Sequence, residues 1–566
     1  MKKPLMFVVL FSALATAGDH KIASDLTGKT TVTFDVIVQY KVPPTDHHKD
    51  KILRRGGKLK ADLHIVKGLL ASVSNDQILS LAADPDVVYI SPDRTVEASA
   101  NNVALAVNAN YAWQFGYDGS GVGVAVIDSG INNANGDLNI AGSRRSRVVY
   151  SQSWIPAKNP SANDLYGHGT HVAGMVAGNG SSSTCATCFI SFKGVAPTAK
   201  VINLRVLDAN GRGLDSYVIS AIQQAINLKS QYNIRVINLS LGRPVYESYT
   251  RDPLCQAVEA AWKSGIVVVV AAGNEGRNNS AETSGYATIT APGNDPYVLT
   301  VGAMKSMGAG FRSDDLIATY SSKGPTIFDH VVKPDIVAPG NRLVSSIAAA
   351  GYLVSNYTVN QIPLSYYMTT PSTMISQAYY KLSGTSMAAA VVSGAVADLL
   401  EAQPQLTPDQ TKARLMKTAY KVFPSYSYYT DPATGVTYTS QYDIFTVGAG
   451  YLDLSAALSN TDVANGTALS PMAVYDQANG NVYLVSDSSA VWGGSAGWGG
   501  SAVWGGNSFI GDQSAVWGGS AVWGSSAVWG SSSTQGFSAV WGGSAVWGGS
   551  TTVSGEATDL LVRGED

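Results

Sequence analysis

Cysteine is nearly missing from this 566-residue chain, which carries only Cys185, Cys188 and Cys255. So few exclude a disulfide framework as the thing that holds the fold. Cys185-Ala-Thr-Cys188 could close a small disulfide loop. A zinc pair is disfavoured, because no second CxxC exists to complete tetrahedral sulfur ligation. Charge is scarce too: charged residues make up 14% and the net charge is −3. No basic patch dominates, which argues against a nucleic-acid partner. Long apolar runs are also lacking, the exception being Leu5 to Leu14, too short for a stable membrane anchor. With Lys2-Lys3 before it and Ala15-Thr16-Ala17 after it, that run reads as a secretory signal peptide over 1–17. The mature product is therefore expected to be exported and soluble.

What is present points to a globular protein of two to four units, since 45% of residues are hydrophobic. Residues 30–97 carry their own pattern. Asp35 to Tyr40 reads as a strand, Leu63 to Val73 as one or two more, and Val87 to Ile90 as a closing one. Ser74 caps a helix to Leu81, so a small α+β unit is expected. Residues 97–103 are small and polar, as a linker and processing site would be. Over 104–458 the texture changes to short apolar runs: Val122 to Ile127, Val201 to Val206, Val236 to Leu241, Ile266 to Ala272 and Val298 to Val301. Runs without polar alternation imply parallel strands buried on both faces, and small-residue helical stretches between them imply a doubly wound, mostly parallel α/β sheet. Active crevices in such sheets lie at the carboxyl ends of the strands.

The residues at those ends are therefore the candidates. Asp128 follows the first run directly, in Val-Ile-Asp128-Ser-Gly. His168 opens a small-residue helix in Gly-His168-Gly-Thr-His171, and imidazole titrates where a general base must. A metal pair at His168 and His171 lacks both the glutamate and the spacing of H-E-x-x-H. His171 is better read as a packed helix residue. Asn274 ends the run Val267 to Gly273, where its amide could be aimed into the crevice. Ser386 stands at the start of a strongly helical segment, where unbonded N–H groups favour a developing oxyanion. Taken singly, each has an ordinary alternative as a turn residue or an N-cap.

In this order and with these flanks, Asp128, His168, Asn274 and Ser386 resemble the subtilases, the subtilisin-like serine proteases. The resemblance covers about 104–458 and is reinforced by Gly194-Val-Ala-Pro197, Asn238-Leu-Ser-Leu-Gly242 and Lys333-Pro-Asp-Ile-Val-Ala-Pro-Gly340. It implies a serine endopeptidase in which Asp128, His168 and Ser386 are catalytic and Asn274 joins the oxyanion hole. It also implies that Ser240-Leu241-Gly242 and Ala271-Ala272-Gly273 line the substrate cleft. Their small apolar character suggests a broad preference for large uncharged side chains, with Thr290 to Pro292 near the pocket floor. The unit at 30–97 would be the family's propeptide, an inhibitor of its own enzyme removed on maturation. No cofactor is required for the chemistry. Calcium often stabilises this family, but no loop identifies its ligands here, and Asp208 and Asp215 read equally well as turn residues. One departure stands out: the family usually has proline four residues after the serine, and here that place is Ala390. Residues 351–381 read as an inserted surface loop.

A last feature lies outside this resemblance. Over 484–550 the motif Ser-Ala-Val-Trp-Gly-Gly recurs, with Trp492, Trp498, Trp504, Trp517, Trp523, Trp529, Trp541 and Trp547 mostly six residues apart. An even period would put every Trp of an extended chain on one face. Such a stripe could bury itself, or bind glycan, a cell surface or another chain. A Gly-rich tail without fixed structure is the alternative. An adhesin built around this repeat would have no need of the catalytic residues, which counts against that reading.

Overall fold

A computed structural model describes residues 21–23, 26, 33–93, 103–476, 481–485, 491–492, 553–554 and 558–565, apart from 159, 280–282, 309, 311 and 370–373. The signal segment 1–17 and nearly all of the repeat expected at 484–550 lie outside the described residues. The chain divides into two compact units, Met1–Ala98 and Ser99–Asp566.

The first unit is an antiparallel sheet with two helices. Its elements are β1 (Phe34–Tyr40), α1 (Asp46–Arg54), β2 (Lys58–Leu63), β3 (Gly68–Val73), α2 (Asn75–Ala82) and β4 (Val87–Pro92), with strand order β2-β3-β1-β4. Val36, Val38 and Tyr40 alternate into a core shared with Leu69, Ala71, Ile52, Ile78 and Leu81. That two-residue period leaves Asp35, Ile37 and Gln39 on the opposite, more open face. Ser74 and Gln77 form a reciprocal capping box: the Ser74 N–H donates to Gln77 Oε1 at 2.7 Å, and Ser74 Oγ accepts from the Gln77 N–H. Helix α1 was not expected from sequence. Only His48 and Ile52 of its nine residues are buried, one turn apart, in a run otherwise mostly charged.

The second unit contains α3 (Val103–Ala106), α4 (Ala109–Gln114) and an eight-stranded sheet. The sheet's strands are β5 (Gly123–Asp128), β6 (Val148–Ser153), β7 (Lys200–Arg205), β9 (Ile234–Leu239), β10 (Val267–Ala271), β11 (Leu299–Lys305), β12 (Leu316–Ile317) and β13 (Ile336–Pro339). A short strand outside it, β8 (Arg212–Gly213), matters below. The order is β6-β7-β5-β9-β10-β11-β12, with β13 also on β11, and every pairing is parallel except β11 with β12. Strands β5 and β10 are buried at every position, as their unbroken apolar sequence requires. This is the doubly wound fold. The chain builds outward from β5 in both directions, so the switch point lies at its carboxyl end.

Helices α5 (His168–Ala177), α6 (Asp215–Tyr232), α7 (Pro253–Lys263) and α9 (Thr385–Ala402) pack on this sheet. Helix α9 is apolar and long enough to cross a membrane, but 89% of it is buried inside the protein. Surrounded by Leu239, Val269 and Val301, it is a core helix. Ala390 is fully buried within it, and the helix runs unbroken from Thr385 to Ala402 without the family's usual proline. Alanine meets the helical φ at no entropic penalty, so the local backbone does not depend on a ring. Cys185 and Cys188 are joined as a disulfide, while Cys255 is a free, buried thiol.

Sheet and carboxyl-terminal segments are tied together by a buried ionic cluster. Asp335 accepts from the Thr300 N–H at 2.7 Å, Lys333 Nζ at 2.8 Å, Lys412 Nζ at 3.2 Å, and the Ser470 hydroxyl. Lys412 Nζ also donates to the carbonyls of Pro296 and Val298 at 2.8 and 3.0 Å. The packed unit therefore continues past residue 458. Burial would raise the Asp335 pKa, but the two ammonium groups outweigh it and hold the carboxyl below its ordinary value. A depressed folded-state value means the stabilisation is complete above the usual carboxylate range and is lost as pH falls through it. Asp335→Asn leaves two buried ammonium groups without a counter-charge. It should destabilise the protein by about 3–5 kcal/mol, read by denaturant unfolding near neutral pH.

Candidate active site

Three adjacent strands deliver their ends to one place. Strand β5 ends at Asp128, β9 leads into Ser240, and β10 leads through Ala272 and Gly273 to Asn274. Helix α5 begins at His168 directly over the end of β5. That start is sterically possible because Gly169 follows: a Cβ there would lie 2.3 Å from the Gly130 carbonyl and about 3 Å from Asp128. His168 Nδ1 bonds Asp128 Oδ1 and Oδ2 at 2.8 and 3.0 Å, with both side chains buried. A carboxylate only accepts, so Nδ1 carries the proton and Nε2 presents the lone pair.

Ser386 is the second residue of α9, and α9 packs on α5. Its Oγ donates to the Ser240 carbonyl at 3.1 Å, and Ser240 Oγ donates to the Ser386 carbonyl at 2.8 Å. This reciprocal pair fixes the helix start against the end of β9. The neighbouring Thr385 fixes Asn274: its N–H donates to Asn274 Oδ1 at 3.0 Å, and its hydroxyl is 3.2 Å from the same oxygen. With Oδ1 so held, Asn274 Nδ2 is left buried and without an acceptor among the described residues. An amide N–H₂ in that condition costs free energy unless something supplies an acceptor.

A cleft of about 270 Å³ opens beside Ser386. Leu241, Gly242, Ala271 and Gly273 line it together with Asn274, Thr385 and Ser386. Ser240 and Ala272 lie behind this lining, Ser240 through its two bonds to Ser386 and Ala272 through its N–H to the Val301 carbonyl at 3.0 Å. Val245, Ile289 and Ile327 also line the cleft, and sequence reasoning missed them because they stand on loops with no periodic pattern. Thr290, singled out with the pocket floor, is a lining residue. Arg243 lines it as well, but its guanidinium is held by Asp252 at 2.7 Å and Asp215 at 2.9 Å, which neutralises it.

Asp164 is the other residue the sequence did not reveal. Its Oδ1 accepts from the Ser129 hydroxyl at 2.9 Å and from the N–H groups of Tyr166 and Gly167 at 3.1 and 2.6 Å. Its Oδ2 accepts the N–H and hydroxyl of Thr170 at 2.8 and 2.7 Å. Ser129 in turn accepts the Gly169 N–H at 2.9 Å. One carboxylate thus ties the residue after Asp128 to both flanks of His168. No sequence signal marks it, since Asn-Asp in a loop reads as an ordinary turn.

The remaining candidates are accounted for. His171 Nε2 donates to the carbonyls of Leu343 and Tyr380, each at 3.1 Å, and burial followed by the nearby His168 depresses its pKa to about 3. It is a neutral packing residue. Asp208 closes its own turn by accepting the N–H groups of Asn210 and Arg212, and Asp215 pairs with Arg243. Among the described residues no cluster of three His, Cys, Asp or Glu side chains is arranged to hold a metal ion. The inserted residues 351–381 are more than a surface loop. Helix α8 (Tyr352–Asn356) donates N–H groups to the carbonyls of Leu165 and Tyr166 at 2.9 Å, buttressing the segment before His168. Tyr379 and Tyr380 are adjacent and both buried on the strand Ile375–Leu382, so both faces of that strand are covered there.

A description of the subtilase family matches residues 119–499. Subtilisin E of Bacillus subtilis (strain 168) is 31% identical over 438 residues, spanning 76% of this chain and 97% of that protein. Serine protease AprX of the same organism is 32% identical over 370 residues, 63% of this chain and 75% of that protein. The alkaline protease of Shouchella clausii is 29% identical over 434 residues, 74% of this chain and 94% of that protein.

Asp164→Ala should lower the unfolding free energy by about 2–3 kcal/mol, because several buried donors lose their acceptor at once. It should also reduce kcat more than KM, since the displaced group is His168 and not the cleft; calorimetry and steady-state kinetics on the same preparation check both.

Proposed function

The chain belongs to the subtilase family and is a subtilisin-like serine endopeptidase, and we propose that it cuts peptide bonds through Asp128, His168 and Ser386 after export as a self-processing precursor. The observation that carries the assignment is Asn274. Its carbonyl oxygen is occupied by Thr385, and its buried amide lacks an acceptor at the strand end beside Ser386. A donor kept waiting in this way fits a charge that exists only during the reaction.

In this reading Ser386 Oγ leaves the Ser240 carbonyl, loses its proton to His168 Nε2 and attacks the scissile carbonyl carbon. Asp128 holds the Nδ1–H tautomer and stabilises the imidazolium. Asn274 Nδ2 and the Ser386 N–H, in the first turn of α9 where no intrahelical acceptor exists, receive the oxyanion. The tetrahedral adduct collapses as His168 gives its proton to the leaving amine, leaving an acyl ester on Ser386. A water deprotonated by His168 then hydrolyses that ester and returns the hydroxyl. Nucleophile, base and oxyanion donors all come from the chain, so the reading requires no cofactor for the chemical steps.

Substrate adds as a strand along Ser240-Leu241-Gly242 and Ala271-Ala272-Gly273, and the apolar lining accepts a large uncharged side chain. The unit at 30–97 acts as the chain's own propeptide inhibitor; its independent core supports this role. The Trp repeat, which carries no catalytic residue, is an anchor to glycan or to a cell surface.

Ser386→Ala should abolish hydrolysis and leave the amino-terminal unit attached, whereas Asn274→Leu should lower kcat by about 100- to 1,000-fold with KM little changed. That magnitude is the one established for loss of the equivalent donor in subtilisin itself. Full activity in Ser386→Ala would refute the assignment. On a peptide library, cleavage should follow large uncharged residues, and dominant cleavage after Lys or Arg would refute the pocket reading. Deleting residues 493–550 should release an active enzyme from the cell surface or glycan; unchanged localisation would remove the anchor role.

A further inference from the structure

The chain beyond the Trp repeat comes back to the protease unit and enters a built seat. Residues Thr558–Arg563 are helical, and Leu561 and Val562 are buried. The Ser383 N–H donates to the Leu561 carbonyl at 2.9 Å. Asn341 pairs with Glu565 in both directions: Nδ2 donates to the Glu565 carbonyl at 2.7 Å, and Oδ1 accepts the Glu565 N–H at 2.8 Å. The Glu565 side chain is 1% exposed. Its Oε1 accepts the Thr319 N–H at 2.9 Å, the Thr319 hydroxyl, and Arg277 Nη2 at 2.8 Å. Gly564 between them has φ +60, and a Cβ there would fall 2.2 Å from Ser383 Oγ. Only glycine fits both that conformation and that gap.

Upstream of this seat, Val553–Ser554 pairs antiparallel with β8, Val553 opposite Gly213 and Ser554 opposite Arg212. Strand β8 connects to the site through its neighbours. Gly211 beside it lies against the Tyr166 ring, and that ring is 6.5 Å from the His168 ring. Two residues past Gly213, Asp215 bonds Arg243, which lines the cleft. The edge therefore runs from the base to the pocket, where an extended substrate would add as a strand.

We propose that Val553–Ser554 and Thr558–Glu565 form an autoinhibitory clasp, in which Thr558–Glu565 seats against Asn341, Ser383, Thr319 and Arg277 and holds Val553–Ser554 on the edge of β8, where an extended substrate lying along Ser240-Leu241-Gly242 would also pair. This rests on the protease reading. The clasp competes with substrate for backbone pairing and leaves Ser386 itself open. It therefore penalises long peptides and spares short ones. A substrate that binds only the unclasped fraction has an affinity reduced by that fraction.

The test uses the full-length enzyme after maturation, with Glu565→Ala, Gly564→Ala and Val553→Pro. Removing a charge-assisted hydrogen bond should shift the clasp equilibrium about tenfold, so KM for a peptide extending four residues before the cut should fall about tenfold. KM for a single-residue ester should not move. Hydrogen exchange should quicken at β8 in all three variants, and at Ser383 only in the two that empty the seat. A synthetic peptide of residues 551–565 added in trans should restore the wild-type KM. Equal KM for the long peptide in wild type and Val553→Pro, or equal exchange at β8, would overturn the clasp. Absence of ester turnover in the wild type would fell the protease reading and the inhibitory role together, while exchange would still report whether the segment is docked.

Discussion

The parallel strands at the centre of the large unit are covered on both faces, and that burial decides where polar chemistry can be placed. Within β5 and β10 no position is open to solvent, so no side chain there could carry a charge without a partner. In these two strands the one polar side chain, Asp128, stands where β5 runs out. Asp128, Ser240 and Asn274 occupy the ends of three neighbouring strands, and α5 and α9 start over them with His168 and Ser386. The helices can begin that close because Gly169 has no Cβ and because Ser240 and Ser386 satisfy one another.

Burial this thorough makes each admitted charge dependent on a complete shell of partners. Asp164 collects five donors around His168, and Asp335 binds two ammonium groups, a backbone N–H and a hydroxyl. Desolvation pushes the Asp164 pKa up against the pull of its donors, whereas the neighbouring ammonium groups win at Asp335. In such a medium a satisfied network is rigid and a half-satisfied one is costly. Among the described residues Asn274 Nδ2, like Asn294 Nδ2 and the Asp398 carboxyl, is left without a partner, and Asn274 stands beside Ser386.

Two additions to the sheet act on this site from outside. The insert around Tyr352 braces the segment leading to His168, and the returning chain at Leu561 touches Ser383, three residues before Ser386. Both reach the segments around His168 and Ser386 through backbone hydrogen bonds. The Trp repeat is thus flanked on each side by residues packed on the protease unit, Met472 and Ala473 before it and Leu561–Glu565 after it.

The amino-acid sequence alone determined the buried strands, their parallel arrangement, Asp128 and Asn274 where two of them run out, and His168 and Ser386 at the starts of two helices, because apolar runs and the residues that follow them are local properties. It also determined the cap of α2, where Ser74 and Gln77 are three residues apart. Helix α1 escaped because its buried face is only His48 and Ile52, too few apolar residues to stand out in a charged run. Asp164, the lining at Val245, Ile289 and Ile327, and the seat of Glu565 were decided only by tertiary structure. Asp164 binds partners up to 35 residues away, and Glu565 binds Thr319 and Asn341 more than 220 residues away. Contacts at that separation leave no mark on the local pattern, since their residue types are ordinary until folding brings them together.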